Sequence, residues 1–266
     1  LSFEKFHPDQ ERIYRVLTLS KQGDNIVKSA SSYGAIASTM KMDYPQIENA
    51  TYISYSSEDS PLKIEGSTNK IESRRAWVDN QFFNVFRGFE FLEGNKKTAL
   101  DSPDKIILSE KTAQKLFGSK LALGEAVISD KYGWDEIYIV GGVVRIPRQS
   151  HIDFGFLLSE SGGRQNVKYS NNWHKSVHVN TYIKLQKEAE IDDNFKDQVS
   201  EHIGRYTNFT DKLLFQPITD IHLYTDYETY QYDKNISNIK YVWIFSGLAL
   251  LIILMASLNF ASNSTA

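Results

Sequence analysis

Apolar positions in the first eighty residues alternate between the spacing of strands and the spacing of helices. Residues 12–19 are rich in β-branched and aromatic side chains, which is typical of a strand, and 47–55 and 70–78 show the same character. Between them, apolar residues over 33–40 recur at three- and four-residue intervals. This spacing predicts a helix, which has to end before Pro45.

Capping residues mark two further helices. Asp79 is placed to cap a short, phenylalanine-rich helix that ends by Gly88. Ser109 is placed to cap a longer one, and Gly118 stands where a helix commonly closes in a left-handed conformation. The composition changes around Asp101 between these helices, so a subdomain boundary is expected there.

The middle of the chain reads as short strands. They are predicted at 105–108, 125–129, 136–146 and 154–158. The pair Gly141-Gly142 lies inside the third of these strands and indicates a bulge or a close backbone approach. A polar exit from this region is expected near residue 162.

The last extramembrane part repeats a strand–helix–strand order. Strands are predicted at 179–185 and 212–218, and Asp192 caps an amphipathic helix predicted to run to Tyr206. Strand–helix–strand units at both ends of the chain would form one α+β domain with a mixed sheet. The middle segment would then be an insertion in it.

Residues 241–261 contain no charged side chain and are apolar on every face. A bilayer core about 30 Å thick needs roughly 20 such residues in a helix. The alternative, a buried helix of a large soluble core, rarely stays apolar all round for this length. We therefore predict one C-terminal transmembrane helix over 241–262.

Composition narrows the class of protein. With 41% hydrophobic and 13% aromatic residues, the part outside the membrane should be folded. A net charge of −3 with mixed signs gives no footprint for nucleic acid, and the absence of cysteine excludes disulfides and thiolate metal sites. No signal peptide opens the sequence, so the chain is expected to be cut from a longer one.

Motifs that could carry chemistry have ordinary alternatives. Ser-x-x-Lys occurs at several positions, including Ser67, Ser102 and Ser237, without the companion motifs of penicillin-binding enzymes. His174 and His178 are four residues apart, but no third metal ligand follows at a recognisable spacing.

His151 and Asp153 could pair, although a buried structural hydrogen bond is the preferred interpretation. Nucleotide-binding loops and the Gly-x-Ser-x-Gly motif are missing from the sequence. We therefore predict no enzymatic activity, and no catalytic, cofactor-binding or metal-binding residue.

Four blocks of sequence resemble the periplasmic core of MacB/FtsX-type ABC transporter permeases. In order they are Trp77-Val78-Asp79-x-x-Phe82-Phe83-x-x-Phe86, Lys105-Ile106-Ile107-Leu108-Ser109-Glu110-Lys111-Thr112-Ala113-Gln114-Lys115-Leu116-Phe117-Gly118, Gly142-Val143-Val144-x-Ile146-Pro147-x-x-Ser150-His151 and Pro217-Ile218-Thr219-Asp220-Ile221-His222-Leu223. The end of the chain, from Asn259-Phe260, resembles the second transmembrane helix of the family. The resemblance covers nearly the whole chain and is closest to permeases abundant in Bacteroidetes. Asp153-Phe154-Gly155-Phe156 departs from the Phe-Asp-Phe-Leu that usually follows Ser-His, and Ser262-Asn263 replaces a commoner Asn-Leu pair.

The resemblance implies a division of the chain. A porter-like subdomain would comprise 1–100 and 169–229, and a sabre-like subdomain, mainly β, would be inserted over 101–168. A stalk over 230–240 would lead into the membrane helix. Since 230–240 has no Pro or Gly, we expect it to continue that helix outward.

The resemblance also implies partners and a location. They are a separate ABC ATPase nucleotide-binding subunit, a second permease protomer forming a dimer, the lipid bilayer, and a periplasmic adaptor or cell-envelope protein. Most of the chain would lie in the periplasm, anchored in the bacterial inner membrane. ATP-driven movement of the helices would then be coupled to export or to mechanical signalling.

Two other functions stay open at this point. A ligand-sensing ectodomain of a membrane receptor would be followed by a signalling module, whereas a permease would be followed by two more apolar spans. A membrane-anchored hydrolase has no catalytic constellation in the sequence to support it. Five tyrosines before and at the apolar run are interpreted as an interfacial belt and a linker packed on the domain; they are Tyr224, Tyr227, Tyr230, Tyr232 and Tyr241.

Overall fold

The computed structural model describes residues 3–131, 134–160, 172–173, 179–227 and 236–264. These ranges contain eleven strands that belong to one sheet. The strands are β1 (Ile13–Gln22), β2 (Asn25–Ser29), β3 (Ile47–Ile64), β4 (Lys70–Val78), β5 (Glu90–Gly94), β6 (Lys105–Ser109), β7 (Ala126–Lys131), β8 (Trp134–Arg145), β9 (Phe156–Ser159), β10 (Asn180–Leu185) and β11 (Lys212–Pro217). The helices are α1 (Ile36–Asp43), α2 (Phe82–Val85), α3 (Glu110–Phe117), α4 (Asp193–Ser200), α5 (His202–Tyr206) and α6 (Ile239–Ser264).

The sheet is mixed, as predicted for an α+β domain. Its strand order is β11-β1-β10-β3-β4-β9-β6-β8-β5, with β2 paired to β1 and β7 joining β3 to β8. β4 and β9 run parallel, as do β6 and β8, and the other pairs are antiparallel. β11 and β5 therefore form the two ends of this order, and no described strand pairs with the outer edge of β11.

Three apolar clusters fill the two faces of the sheet. One lies around α2 and includes Phe82, Phe86 and Tyr182. A second packs α1, α4 and α5 against β1, β3 and β10. The third lies around β6, β8, β9 and α3, and its members come mainly from the middle of the chain, with Leu62 from the far end of β3.

The helix caps and the bulge predicted from local sequence are present in the structure. Ser109 Oγ accepts a hydrogen bond from Thr112 N, and Asp192 Oδ1 accepts one from Phe195 N, so both helix caps are confirmed. Gly141 is skipped in the pairing of β6 with β8, which confirms the bulge. A Cβ at this position would lie 2.4 Å from Ala99 O, which explains the glycine.

Other predictions have to be corrected. The helix expected from Asp192 to Tyr206 is divided in two at Glu201, whose backbone is no longer helical. β3 runs for 18 residues, well past the predicted end at 55, because a pairing irregularity between Tyr55 and Asp59 allows its far half to continue against β4 and β7. β2 and β5 were missed; β2 is a largely exposed hairpin arm with little apolar alternation.

α6 has the length and composition to cross a membrane. It runs for 26 residues, and none of its residues is buried against the rest of the chain. An isolated helix that is apolar on all faces and touches no core needs an apolar surrounding, which lipid provides. The C-terminal helix predicted at 241–262 is thus present and begins two residues earlier.

Candidate functional site at the junction of the two chain ends

The first described residues and the start of α6 meet at one place on the domain. The ring of Phe3 stacks on the ring of His222 with a centroid distance of 3.4 Å and an interplanar angle of 7°. The backbone carbonyls of His222 and Leu223 accept hydrogen bonds from the residues that lead into α6. Ser237 N donates to His222 O at 2.7 Å, and Ile239 N donates to Leu223 O at 3.1 Å. We call this place the junction.

The junction determines where α6 begins. Asn238 pairs with Tyr224 in an isolated antiparallel bridge, so its backbone is held in a non-helical conformation. Its side-chain oxygen accepts from Lys240 N at 2.9 Å and its carbonyl accepts from Tyr241 N at 3.0 Å, as expected of a residue at a helix N-cap. The expected helical stalk is therefore wrong for residues 236–238, and 230–235 lie outside the described residues.

Glu4 anchors the N-terminal side of the junction. It is 1% exposed and has a positive φ of 60°, an uncommon conformation for a residue other than glycine. Its carboxylate accepts from the backbone N and from Nδ1 of His151, the latter at 2.9 Å, and its own N donates to Gln149 O at 3.0 Å. Burial alone would raise the pKa of Glu4, but the charge and hydrogen bonds of His151, with a smaller contribution from nearby His7, hold it at about 2.

A buried hydrogen-bond chain continues from Glu4 to the segment before α6. His151 Nε2 lies 2.7 Å from Tyr182 Oη, and Tyr182 Oη accepts from Arg15 Nη2 at 3.0 Å. Arg15 Nη1 in turn donates to Tyr227 Oη at 3.4 Å, and Arg15 is fully buried. Because the Glu4 carboxylate can only accept and the Arg15 guanidinium can only donate, His151 Nδ1 donates to Glu4 and Arg15 donates to Tyr182 Oη.

His7 binds the N-terminal segment to the turn after α2. Its Nε2 lies 3.5 Å from Glu4 Oε2, and its Nδ1 accepts from Gly88 N at 3.1 Å. Burial lowers the pKa of His7. A Cβ at residue 88 would lie 2.4 Å from Phe6 O, so only glycine allows this approach.

Two cations fix the neighbouring segments. Lys184 is fully buried, and its Nζ lies 2.8 Å from Asp9 Oδ2 and 2.9 Å from Glu48 Oε1. Arg12 reaches the same two carboxylates, each at 2.6 Å. Burial would raise the pKa of Asp9, but hydrogen bonds from Lys184 and Arg12 hold it at about 2. Buried charges that are paired in this way are costly to separate.

On the outer side, Lys28 of β2 holds the segment that follows the junction. Its Nζ lies 2.6 Å from Asp226 Oδ1 and 5.2 Å from the centroid of the Tyr227 ring. Tyr227 Oη also donates to Gln216 Oε1. Tyr227 is thus packed on the domain, as interpreted from the sequence, whereas Tyr230 and Tyr232 lie outside the described residues.

The residues singled out from the sequence do not assemble a reactive centre in the described structure. His151 forms its buried hydrogen bonds with Glu4 and Tyr182 rather than with Asp153. Ser67 Oγ accepts from Asn69 N and Ser102 Oγ donates to Asp104, so both hydroxyls serve local turns. Within the ranges described, no three His, Asp or Glu side chains are grouped as metal ligands; His174 and His178 lie outside these ranges.

The profile of the MacB-like periplasmic core domain family matches residues 2–201. A domain of a candidate permease protein from Porphyromonas gingivalis superposes with a TM-score of 0.68 at 20% identity, covering 85% of this chain and 96% of that one. The periplasmic region of MacB from Actinobacillus actinomycetemcomitans gives 0.53 at 13% identity, covering 82% and 92%.

A third solved structure shares the fold. It is the extracellular domain of the noncanonic ABC-type transporter YknZ from Gram-positive bacteria, with a TM-score of 0.50 at 12% identity, covering 76% of this chain and 99% of that one. Among curated proteins, none matches this sequence. At these identities the structural similarities establish the fold.

Proposed function

Because this chain belongs to the MacB-like periplasmic core domain family, we propose that it passes ATP-driven movement of permease helices to the outer side of the membrane. The chain is the periplasmic domain of a MacB/FtsX-like ABC transporter permease with one helix of membrane-spanning length. In the proposal, a separate nucleotide-binding subunit hydrolyses ATP beneath a dimer of permease chains in the inner membrane. The movement serves export or a mechanical signal to a periplasmic adaptor or cell-envelope protein.

The junction is the observation that carries this proposal. Movement of α6 acts on Ser237 and Ile239, which are hydrogen-bonded to His222 and Leu223, and His222 is stacked on Phe3. The start of the membrane helix is therefore held directly on the domain and on its N-terminal segment. A rigid attachment transmits displacement, whereas a flexible tether would absorb it.

The buried hydrogen-bond chain makes the attachment stiff. Apolar contacts can slide at small cost, but a hydrogen bond weakens steeply when its distance or angle changes. Removing one partner of a buried charged pair typically costs about 3–5 kcal/mol. The chain from Glu4 through Tyr182 to Arg15 therefore favours one arrangement of the two chain ends over all others.

The division into subdomains is part of the proposal. The porter-like part (1–100 and 169–229) is supported by the cluster that unites α1 with α4 and α5 from opposite ends of the sequence. The inserted sabre-like part (101–168) is supported by an apolar cluster around α3 that comes mainly from this segment, with Leu62 of β3. Residues 230–240 remain the proposed connection to the membrane helix.

An insertion tests whether the attachment transmits movement. Gly-Gly placed between Asn238 and Ile239 leaves the domain intact but separates α6 from its cap and from Leu223. Because the chain has no cysteine, Lys70→Cys provides a single spin-label position on the exposed start of β4. In the permease dimer reconstituted with its ATPase, the label-to-label distance should change between ATP-bound and nucleotide-free states, and the insertion should abolish this change.

The matched control is the same insertion between Gly23 and Asp24. Gly23 lies in the exposed turn between β1 and β2, and a Cβ there would meet nothing within 4 Å. This variant should keep the full ATP-dependent distance change. If the Asn238 insertion also keeps it, the segment is only a tether and the proposed coupling is wrong.

A further inference from the structure

A cavity of about 430 Å³ follows the outer edge of β11. All six residues of β11 line it, from Lys212 to Pro217. Neighbouring residues of a strand point to opposite faces of the sheet, and the cavity is lined from both faces. Leu17 and Leu19, which pair with Leu214 and Lys212, line it on one face, and α4 lines it on the other. It cannot be a pocket on one face alone. We call this cavity the edge slot.

One wall of the edge slot is apolar where it borders β11. Leu213 belongs to the core under α4, and Phe215 and Ile191 pack against that core from its margin. The Phe215 ring lies 5.5 Å from the ring of Phe195 on α4, which places α4 over this face of the strand. Farther from β11 the same wall becomes polar, with Lys196, Asp197 and Ser200 of α4.

The opposite wall, near the junction, carries the polar side chains of Lys212, Lys28 and Gln216 beside Leu17, Leu19 and Leu214. Lys212 and Lys28 are both paired with Leu19 of β1, so their side chains lie on the same face. Gln216 Nε2 donates to Tyr224 O at 3.4 Å, and Tyr224 also lines the slot. Lys28 is engaged by Asp226, whereas Lys212 has no carboxylate partner among the described residues.

We propose that the edge slot binds an extended segment of another protein, which adds to β11 as a further strand. An unpaired strand edge offers backbone donors and acceptors, and strand addition is a recurring way to recognise peptides. The apolar wall selects apolar side chains at alternate positions. The free ammonium of Lys212 selects a carboxylate on the other face of the incoming strand.

The two walls also argue against a second copy of this chain as the occupant. A second β11 would bring its own α4 and its own segment around Tyr224 to the same edge, where these elements already flank the slot. It would also set Lys212 opposite Pro217 of the copy, which has no N–H to donate. A single strand from another protein meets neither obstacle.

The test uses three seven-residue peptides on the full chain in zwitterionic nanodiscs. The matching peptide is Glu-Val-Thr-Val-Thr-Val-Glu, whose valines share one face and whose glutamates share the other. The charge control replaces both glutamates with lysine, and the strand control replaces the central valine with proline. Binding is measured by fluorescence polarisation, with empty nanodiscs as background.

We expect the glutamate peptide to bind about fivefold more tightly than the lysine peptide, the change that one exposed ion pair provides. The proline peptide should bind more weakly than the glutamate peptide, because proline removes a ladder hydrogen bond. Lys212→Glu should reverse the preference for glutamate over lysine. Lys70→Glu, an equally large charge change at the exposed start of β4, should leave this preference unaltered.

Hydrogen exchange locates the bound peptide. Added protection should be confined to 212–217 and to the neighbouring α4. Absence of binding by the glutamate peptide, equal binding of the glutamate and proline peptides, or protection elsewhere on the chain would each overturn the proposal. The result is independent of the proposed coupling, since neither peptide binding nor Lys212 requires ATP.

Discussion

Replacing Glu4 by glutamine should destabilise the domain in a pH-dependent way. Burial disfavours the ionised carboxylate, yet the charge and hydrogen bonds of His151, with a smaller contribution from nearby His7, lower its pKa from an ordinary 4.5 to about 2. Since Glu4 is 1% exposed, solvent does not screen these contacts. A shift of this size corresponds to about 3 kcal/mol of unfolding free energy at neutral pH.

The direction in which stability changes with pH follows from the lowered pKa of Glu4. The folded chain keeps Glu4 ionised where the unfolded chain already binds a proton, so the stabilisation is complete above about pH 4.5 and is lost as the pH falls toward 2. Glu4→Gln lacks this contribution at every pH. The difference in unfolding free energy between the two proteins should therefore be about 3 kcal/mol at pH 7 and should shrink steadily below pH 4.5.

Denaturant unfolding in detergent, followed by tryptophan fluorescence between pH 2 and 7, measures this difference. Glu188→Gln removes the same charge from an exposed position and should change stability by less than about 0.5 kcal/mol at any pH. A difference for Glu4→Gln that stays constant from pH 7 to pH 2 would refute the electrostatic account. It would show that the substitution acts through packing or through the positive φ alone.

Two further predictions concern the packed interior of the sheet. Gly155→Ala should destabilise the domain by about 3 kcal/mol in denaturant unfolding, because a Cβ there would lie 1.9 Å from Ser73 Oγ and 2.8 Å from Arg74 N. Gly204→Ala is the control: its nearest neighbour would lie at 3.9 Å, so it should be neutral or stabilising, and equal effects of the two substitutions would contradict the prediction. Burial raises the pKa of Asp79 from 3.8 to about 7, so the folded chain should lose stability as the pH rises through this interval. Asp79→Asn should remove this loss of stability, so the variant protein should unfold at a higher temperature than the parent at pH 8 but not at pH 4. A difference in thermal midpoint that does not depend on pH would contradict the prediction.

Sequence reasoning was most successful where one side chain acts on its own neighbourhood. β4 was predicted at 70–78 and is found at Lys70–Val78, because β-branched and aromatic residues favour a half-buried strand directly. The capping residues Ser109 and Asp192 accept hydrogen bonds from backbone N–H groups three residues away, so their role can be predicted from the neighbouring sequence. The apolar helix α6 needs no partner from the rest of the chain to be recognised.

The junction could not be predicted in the same way. Glu4 and His151 are 147 residues apart, and Arg15 and Tyr182 are 167 apart. The nearest acidic residue to His151 in sequence was Asp153, and proximity in sequence suggested the wrong partner. Only the pairing of β1 with β10 brings Arg15 opposite Tyr182, and that pairing depends on the whole sheet.

The same reasoning explains the mistaken stalk. Absence of Pro and Gly from 230–240 permits a helix, but it does not require one. The described part of this segment instead satisfies its backbone by pairing with 222–224, an interaction that closes a loop and cannot be read from helix propensity. The start of α6 is therefore determined by tertiary contact rather than by local preference.

Gln216 connects the junction to the edge slot. Its Oε1 accepts from Tyr227, which is also held by Arg15, while its Nε2 donates to Tyr224 O beside the slot. An incoming strand that repositions Gln216 would therefore act on the contacts that hold the segment before α6. Conversely, movement of α6 that displaces Tyr224 would change the polar wall of the slot. By thermodynamic reciprocity, a peptide that binds one arrangement of the junction more tightly must stabilise that arrangement by the same free energy.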